Sequence, residues 1–390
     1  MNNVGEIKKE KCCGCFSCYN SCLKKAIDMC KDSEGFWYPE IDMKKCVQCG
    51  KCLKACPNTN LLSANKYEHA YACYAKNEKE HMESSSGGFF AVLAKKILEE
   101  GGCVFGAAFN KDIEVEHIEV ENIIDLKKVK CTKYVQSRIG MNYTYIRNEL
   151  EAGRYVLFSG TPCQVAGLKT FLAKEYEKLL CVDLICHGVP SPEVWKRYLI
   201  EKFGKNEVVS MQFRNKTAGI DKVTLDYQLK SGKMFSEAYE ESPYIQGVIH
   251  NFYIRPSCFQ CQFKGNHRVS DITIGDFWSI KEFYPKLPSK YGISAVIIRT
   301  SKGELWMKKS SSDLHVYEAK VKEIAVWNEN LNDSAKATIY RHLFYKMWNN
   351  EKISTLIPRL VQEEKEIEKK KPKKISLKKQ IKRKLKKWLV

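Results

Sequence analysis

Two runs of closely spaced cysteines near the amino terminus constrain the fold of this chain more strongly than any other feature. Both runs have the spacing C-x2-C-x2-C-x3-C, and their members are Cys12, Cys15, Cys18, Cys22, Cys46, Cys49, Cys52 and Cys56. The stretch from Lys11 to Cys22 holds five cysteines in twelve residues, which is too many for a hydrophobic core. We therefore expect these thiols to hold a metal group.

The compartment expected for the chain supports the same interpretation. The chain has 390 residues and 18 cysteines, and its first residues lack the apolar core of a signal peptide. We find no apolar run of the roughly 18 residues that a membrane span needs. We expect a cytoplasmic, reducing location, where cysteines serve as metal ligands or redox groups and rarely form disulfides.

The spacing of each run is that of ferredoxins with two [4Fe–4S] clusters, in which the fourth cysteine of each run ligates the other cluster. We predict that one cluster is held by Cys12, Cys15, Cys18 and Cys56, and the second by Cys46, Cys49, Cys52 and Cys22. A zinc site would show two separated pairs of ligands instead. Leu23 replaces the proline expected after the first run, and Cys13 falls outside both ligand sets.

Beyond Pro57 the pattern changes to strands that alternate with helices. The predicted elements are a helix over residues 89–100, strands over 103–109, 155–158 and 179–186, helices that begin with Thr161-Pro162 and Ser191-Pro192, and a β-rich part from Val208 onward. We predict an α+β fold class, with a small bacterial-type ferredoxin domain, a mixed α/β domain and a basic C-terminal helix. The predicted bounds are 1–62 for the ferredoxin domain, 66–150 and 151–360 for the two parts of the α/β domain, and 361–390 for the tail.

Four further cysteines are candidates for a third metal group. Cys163 begins a predicted helix, Cys186 ends a buried strand, and Cys258 and Cys261 form a C-x2-C pair in a loop. Strand ends and helix starts meet at one edge of an α/β sheet, so the four thiols can converge there on a third [4Fe–4S] cluster. The alternative is that Cys163 and Cys186 are core or catalytic thiols and that the pair binds zinc or nothing.

Two polar stretches are candidate ligand sites. Residues 84–88, with the sequence SSSGG, precede a helix, where free amides and small side chains suit a phosphate. A capped turn explains them equally well. Asp276 ends a predicted strand and is a candidate to orient a cofactor ring or ribose, with turn capping as the alternative.

The C-terminal tail has a composition of its own. The net charge of the chain is +19, and residues 369–390 contain 12 basic groups and no acidic group. Leucine, isoleucine and tryptophan recur on one helical face, which is typical of a basic amphipathic helix on an anionic membrane surface. A solvated tail is the second interpretation, and nucleic acid is an unlikely partner by comparison.

The chain resembles the coenzyme F420 hydrogenase/dehydrogenase beta-subunit family, in the form with an N-terminal two-cluster ferredoxin domain. The stretches that carry the resemblance are the two cysteine runs, SSSGGFF, KYVQS, FSGTPCQVAGL, VDLICHGVPSP, RPSCFQCQFKG and SDITIGDFW. The resemblance implies FAD in the α/β domain, which would then be a flavin-binding domain, and an iron–sulfur cluster near it. By matching motif, the candidate flavin contacts are Ser86, Gly87, Gly88, Lys133, Gln136, Thr161, Pro162 and Asp276.

Two hypotheses about function follow from these features. The first is an oxidoreductase that passes electrons between a ferredoxin-like or other redox partner and a small-molecule substrate such as F420, with His187 as a candidate proton relay. The second is a non-enzymatic electron-transfer subunit with clusters alone, which serves a separate catalytic partner. The resemblance also extends to accessory proteins of surface-polysaccharide synthesis. Either protein would be cytoplasmic, with the tail as a means of peripheral attachment to the inner membrane face.

Overall fold

The computed structural model describes residues 2–64 and 69–370 of the chain. The strands are β1 (Ile27–Lys31), β2 (Trp37–Ile41), β3 (His69–Ala75), β4 (Cys103–Phe109), β5 (Val115–Val120), β6 (Val156–Gly160), β7 (Leu179–Leu184), β8 (Val208–Asn215), β9 (Thr224–Leu229), β10 (Met234–Ala238), β11 (Ile272–Asp276), β12 (Ser294–Ile298) and β13 (Leu314–Ala319). The predicted amphipathic helix of the tail lies outside the described residues.

The α-helices are distributed over both halves of the chain. They are α1 (Ser17–Ser21), α2 (Lys51–Lys54), α3 (Glu78–Glu83), α4 (Phe89–Glu99), α5 (Leu126–Val129), α6 (Asn142–Glu151), α7 (Pro162–Leu172), α8 (Pro192–Phe203), α9 (Pro243–Ile249), α10 (Ile280–Phe283), α11 (Ser301–Ser310), α12 (Val321–Ala325), α13 (Ile339–Met347) and α14 (Ile353–Lys370). Within the described ranges, no helix combines the length and apolar character that crossing a bilayer requires.

The N-terminal region contains the antiparallel hairpin β1–β2 and two short helices, α1 and α2, that follow the second cysteine of each run. Gly14 and Phe16 in the first run, and Gln48 and Gly50 in the second, all have left-handed backbone with φ between 51° and 72°. These residues occupy equivalent positions in the two runs, two residues after the first cysteine and one residue after the second. The duplicated spacing therefore folds into a duplicated loop conformation.

The main sheet has eight strands in the order β13-β3-β12-β11-β7-β6-β4-β5. Strands β4, β6, β7 and β11 are parallel, which confirms the predicted parallel core. The other four strands pair antiparallel with their neighbours and make the sheet mixed. Parallel strands need long crossovers, whereas β5 follows β4 after a short turn and so returns antiparallel.

Local capping residues determine where the two central helices begin. Thr161 and Gln164 form a capping box at the start of α7, and Pro162 is its first residue. Ser191 caps α8 by accepting from Val194 N, and Pro192 is its first residue. Both helix starts are as the sequence predicts. They place the residues just before each helix at the carboxyl edge of the parallel strands.

Helices cover both faces of the main sheet. One face packs against α4 and α11, and the other packs against α6 and α7. Phe16 from the first cysteine run belongs to this second core, so the N-terminal region is docked on the α6–α7 side. A separate core joins the antiparallel sheet β10-β9-β8 to α8, α9, α13 and α14.

Candidate functional site

Four of the predicted ligands form a thiol group at the protein surface, which we call the outer thiol group: Cys22, Cys46, Cys49 and Cys52. All four line one cavity of about 160 Å³, together with Leu23, Lys24, Val47 and Lys51. Cys49 is exposed, and the side chains of Leu23 and Val47 are 74% and 61% exposed. The outer thiol group is therefore accessible from solvent.

The other four ferredoxin-type cysteines form the middle thiol group: Cys12, Cys15, Cys18 and Cys56. They line a second cavity, which includes Phe16 and Met29 and lies beneath the docked face of the N-terminal region. Burial raises the pKa of Cys18 well above its ordinary value, and the neighbouring Cys12 and Cys56 raise it further. Cys18 and Cys56 pack against Cys52 in one apolar cluster, so the outer and middle groups are neighbours.

The inner thiol group consists of Cys163, Cys186, Cys258 and Cys261. These side chains come from the first turn of α7, the loop after β7 and a turn before β11, and they line one cavity. Burial raises the pKa of Cys186 to about 12, with further contributions from Cys163 and Cys261. The structure thus gathers the four cysteines that sequence spacing left as separate candidates.

The chemistry of the three donor sets fits [4Fe–4S] clusters. Each set supplies four cysteine sulfurs, which is the ligand set of such clusters, and each lines a single cavity. Burial raises the pKa of Cys18 and Cys186 and keeps these free thiols protonated, and metal coordination is what makes such thiols lose their protons. Assignment of each residue to one cluster stays a prediction.

Cys13 lies between the middle and inner thiol groups. Its side chain hydrogen-bonds with Cys15 and with Cys163, and it lines the cavities of both groups. The sequence places Cys13 outside both ligand sets, and its spacing carries no signal of this position. The tertiary structure brings it there because α7 packs directly on the first cysteine run.

A polar cleft of about 310 Å³ opens at the carboxyl edge of β6, β7 and β11. This volume is at the lower end of the range for organic ligand sites. Five of the predicted flavin contacts line it together with His187: Ser86, Gly88, Lys133, Thr161 and Asp276. Cys186, His187 and Gly188 line both this cleft and the inner thiol cavity, so the two sites share a wall.

The other three predicted flavin contacts lie elsewhere. Gly87 packs against backbone, since a side chain there would come within 2.2 Å of Cys73 O. Gln136 donates to Cys13 O at 3.2 Å and accepts from Arg255 at 3.1 Å, on the side of the thiol groups. Pro162 lines the inner thiol cavity. A sequence motif does not tell which way each side chain points, and contact of these three residues with a flavin stays a prediction.

Basic side chains surround the cleft, and sequence reasoning missed most of them. Arg214 on β8 is buried and pairs with Asp276 at 2.6 Å, so the carboxylate expected to orient a cofactor is already engaged. Burial lowers the pKa of Lys133 to about 8. Lys216 is also buried and donates to the carbonyls of Ser86 and Tyr291, which supports the SSSGG loop.

A buried hydrogen-bond chain connects the cleft wall to the inner thiol group. His117 Nε2 donates to Ser159 O at 2.9 Å, and Ser137 Oγ donates to His117 Nδ1 at 3.0 Å. Gln164 then donates to Ser137 Oγ, and Thr161 Oγ1 contacts both Gln164 Oε1 at 3.1 Å and Cys163 Sγ at 3.2 Å. Burial lowers the pKa of His117 to about 4, so its ring is neutral.

His187 is held by two asparagine side chains. Its Nε2 donates to Asn251 Oδ1 at 2.5 Å, and its Nδ1 accepts from Asn330 Nδ2 at 3.1 Å. Burial lowers the pKa of the ring. With both ring nitrogens occupied, the arrangement favours a histidine that orients the loop after β7 over one that moves a proton.

Comparisons with known proteins agree with this arrangement. Residues 153–323 match the C-terminal part of the family "Coenzyme F420 hydrogenase/dehydrogenase, beta subunit", and residues 38–62 match the family "4Fe-4S binding domain". The coenzyme F420-dependent sulfite reductase of Methanocaldococcus jannaschii is 26% identical over 272 residues. That match covers 65% of this chain and 39% of the reductase, so the chain spans less than half of this relative.

Two shorter or more distant likenesses accompany these matches. A ferredoxin of M. jannaschii that has not been characterized is 36% identical over 56 residues, which is 14% of this chain and 71% of that protein. A chain of the F420-reducing [NiFe] hydrogenase complex from Methanosarcina barkeri superposes on this chain with a TM-score of 0.45 and 16% sequence identity. The superposition covers 78% of this chain and 92% of the hydrogenase chain. From the family matches, residues 153–323 are similar to the C-terminal domain of the coenzyme F420 hydrogenase/dehydrogenase beta subunits, and residues 38–62 are similar to 4Fe–4S binding domains.

Proposed function

We propose that this protein is an iron–sulfur flavin oxidoreductase that connects an external one-electron carrier with a hydride-accepting small molecule. The observation that carries the proposal is the contiguity of its sites. Cys18 and Cys56 pack against Cys52 in one cluster, which joins the outer and middle groups, and Cys13 bonds to Cys15 and Cys163, which joins the middle and inner groups. The inner group then shares a wall with the polar cleft. Three neighbouring thiol groups thus lead from the surface to a ligand-sized site.

The polar cleft is the proposed site for FAD. A flavin supplies the exchange between single electrons and a hydride, which clusters alone do not provide. The hydroxyl of Thr161 and the SSSGG loop offer hydrogen bonds, and Lys133 and Arg214 offer positive charge for phosphate. Trp278, which is 52% exposed at the cleft, stacks on Arg214 and presents an aromatic face to an incoming ring.

F420 is the proposed substrate, because the matched reductase is named as F420-dependent. Its acidic tail would be attracted to the basic groups of the cleft. The role in surface-polysaccharide synthesis and the attachment of the tail to a membrane stay predictions, since no described residue bears on either.

The outer thiol group provides the proposed contact with the redox partner. Leu23 and Val47 form an exposed apolar spot at the cavity mouth, and Lys24 and Lys51 flank it. Among the described residues, no acidic side chain lines that cavity. A small acidic electron carrier matches an apolar contact surrounded by positive charge, since complementary charge steers such encounters.

Anaerobic purification with metal and flavin analysis tests the proposal. We expect iron approaching about twelve atoms per chain, as three [4Fe–4S] clusters require, and FAD released by acid. Reduction by the protein carrier and reoxidation by F420 should then follow one another in stopped-flow spectra. Colourless protein that lacks iron would contradict the proposal.

A cluster-only electron-transfer subunit is the second candidate. The fact that favours it is the length of the matched sulfite reductase, of which this chain covers only 39%. In that case the protein would contain roughly eight or more irons per chain but no flavin. Turnover would then appear only after a separate catalytic protein is added.

A further inference from the structure

Arg255 is a buried arginine at the junction of the middle and inner thiol groups. Its side chain is fully buried, and it precedes the Cys258-x2-Cys261 pair of the inner group by three residues. Two backbone hydrogen bonds hold it in place: Arg255 N donates to Val189 O, and Cys258 N donates to Arg255 O, both at 2.9 Å. The arginine backbone is therefore part of the loop that carries the inner ligands.

The guanidinium of Arg255 reaches across to the first cysteine run. Its Nε donates to Cys12 O at 2.8 Å, and Nη2 lies 3.7 Å from Cys12 Sγ and donates to Trp37 O at 2.9 Å. Nη1 donates to Gln136 Oε1 at 3.1 Å. The ring of Tyr38 lies 4.2 Å below the guanidinium carbon. One side chain thus joins the ligand loops of two thiol groups.

Gly14 leaves the space that this contact needs. A Cβ atom at Gly14 would come within 2.8 Å of Arg255 Nη1 and 2.9 Å of Gln136 Nε2. The left-handed backbone of Gly14, with φ of 63°, also disfavours any larger residue. The close approach of Arg255 to the run is therefore built into the loop sequence C-C-G-C.

No carboxylate balances the charge of this arginine. In the described part of the chain, its hydrogen-bond acceptors are carbonyl groups, an amide oxygen and a thiol, and it belongs to no ion pair. A buried charge is costly unless an opposite charge is near it. The sulfur of Cys12 in the middle thiol group lies 3.7 Å from Nη2, and Arg255 also lines the cavity of the inner thiol group.

We propose that Arg255 is a shared electrostatic tuning residue, which favours the reduced state of both the middle and the inner clusters. The inference rests on the proposed function, because it needs clusters in both thiol groups. A thiolate-ligated cluster is an anion that gains one more negative charge on reduction. A fixed positive charge in a low-dielectric site stabilises the more negative state, so the reduction potentials of the two clusters rise together.

Replacement of Arg255 by methionine tests the proposal in intact, anaerobically purified protein. We expect the midpoint potentials of the middle and inner clusters to fall by at least about 59 mV, which is a tenfold change in a one-electron equilibrium. The outer cluster is the internal control and should keep its potential, because Arg255 contacts Cys12 of the middle group and lines the inner cavity but does not line the outer cavity. The midpoint potentials are measured in a redox titration that is monitored by electron paramagnetic resonance. The signal of the outer cluster is the one that is lost in Cys49→Ser.

Further variants separate charge from packing. Arg255→Lys keeps the charge, so its reduction potentials should stay close to those of the wild type. Arg255→Gln keeps a hydrogen-bond donor without the charge and should behave like Arg255→Met. The glutamine variant replaces the methionine variant in the test if the latter fails to fold. Arg299→Met is a matched control, because Arg299 is also buried and donates to Thr273 of β11. We expect it to leave all three potentials unchanged.

Three results would overturn the inference. The first is a full iron content in Arg255→Met or Arg255→Gln with unchanged potentials. The second is an equal shift of all three clusters, which would indicate a general structural effect. The third is wild-type protein without iron, which would overturn the proposed function and this inference together. Iron analysis of the wild type therefore tells the two failures apart.

Discussion

The outer and middle thiol groups have the same spacing but opposite surroundings. Cys49 of the outer group is exposed, and apolar and basic side chains surround it at the surface. Cys15 of the middle group is 7% exposed and lies against helix α7, where Gly167 leaves room for its sulfur. Cys12, Cys18 and Cys56 are half-buried, so the two copies differ in degree: Cys49 opens the outer group to solvent, whereas Cys15 packs the middle group against the protein interior.

This difference indicates how electron transfer through a duplicated motif is given one direction. An exposed group can meet a diffusing partner, whereas a buried group can exchange electrons only with its neighbours in the protein. The middle group has such neighbours on both sides, Cys52 of the outer group and Cys13 next to Cys163. Its burial also places Arg255 beside it in a region of low dielectric, where a charge acts strongly.

The largest expected effect comes from removing one ligand of the middle group. Cys15→Ser should lower the iron content by one cluster and slow carrier-driven reduction of the cleft cofactor by about a hundredfold or more, because the outer and inner groups lose their connection. Cys49→Ser should remove the outer cluster and leave the middle and inner signals in place. Iron analysis and stopped-flow reduction measure both effects.

The matched control for these variants is Cys30→Ser. Cys30 lies half-buried on β1, outside the cavities of the three thiol groups that the structure describes. We expect this variant to keep its iron and its rate. Full iron content and normal transfer in Cys15→Ser would show that the middle group is not a cluster site.

The second prediction tests the tight packing around the middle group. Helix propensity alone predicts that Gly167→Ala stabilises α7 by about 1 kcal/mol. In the structure the added Cβ would lie 2.8 Å from Cys15 Sγ and 2.9 Å from Cys15 Cβ. We therefore expect the free energy of unfolding to fall by about 1–3 kcal/mol instead. Anaerobic denaturant unfolding measures the sign, and an increase in stability would contradict the docked position of the first run.

The smallest expected effect concerns the surface around the outer group. Leu23→Glu with Val47→Glu places negative charge on the exposed apolar spot, and we expect the KM for an acidic carrier protein to rise about tenfold. The rate with a small-molecule reductant should stay unchanged, since it needs no docking surface. An unaltered KM at low ionic strength would exclude this surface as the contact site.

Much of the local structure could be predicted from the sequence. The strand Cys103–Phe109 has the predicted bounds, the strand Val208–Asn215 begins where predicted, and α7 and α8 begin at the predicted Pro162 and Pro192. Side-chain periodicity and capping are local properties, so a single sequence contains them. The mixed character of the main sheet was harder to predict, because β3 pairs with β12 and β13, which lie far from it in the chain.

The candidate site shows the same difference between features that are local in the sequence and features that depend on tertiary packing. By itself, the sequence determined that the chain carries two ferredoxin-type cysteine runs, since the chemistry of the ligands requires that residue type at that spacing. Only the tertiary structure decided which run is buried, how Cys163, Cys186, Cys258 and Cys261 converge, and that Arg255, His117 and Arg214 belong to the site. The physical reason is that spacing acts along the chain within a few residues, whereas burial and charge depend on which distant segments pack together.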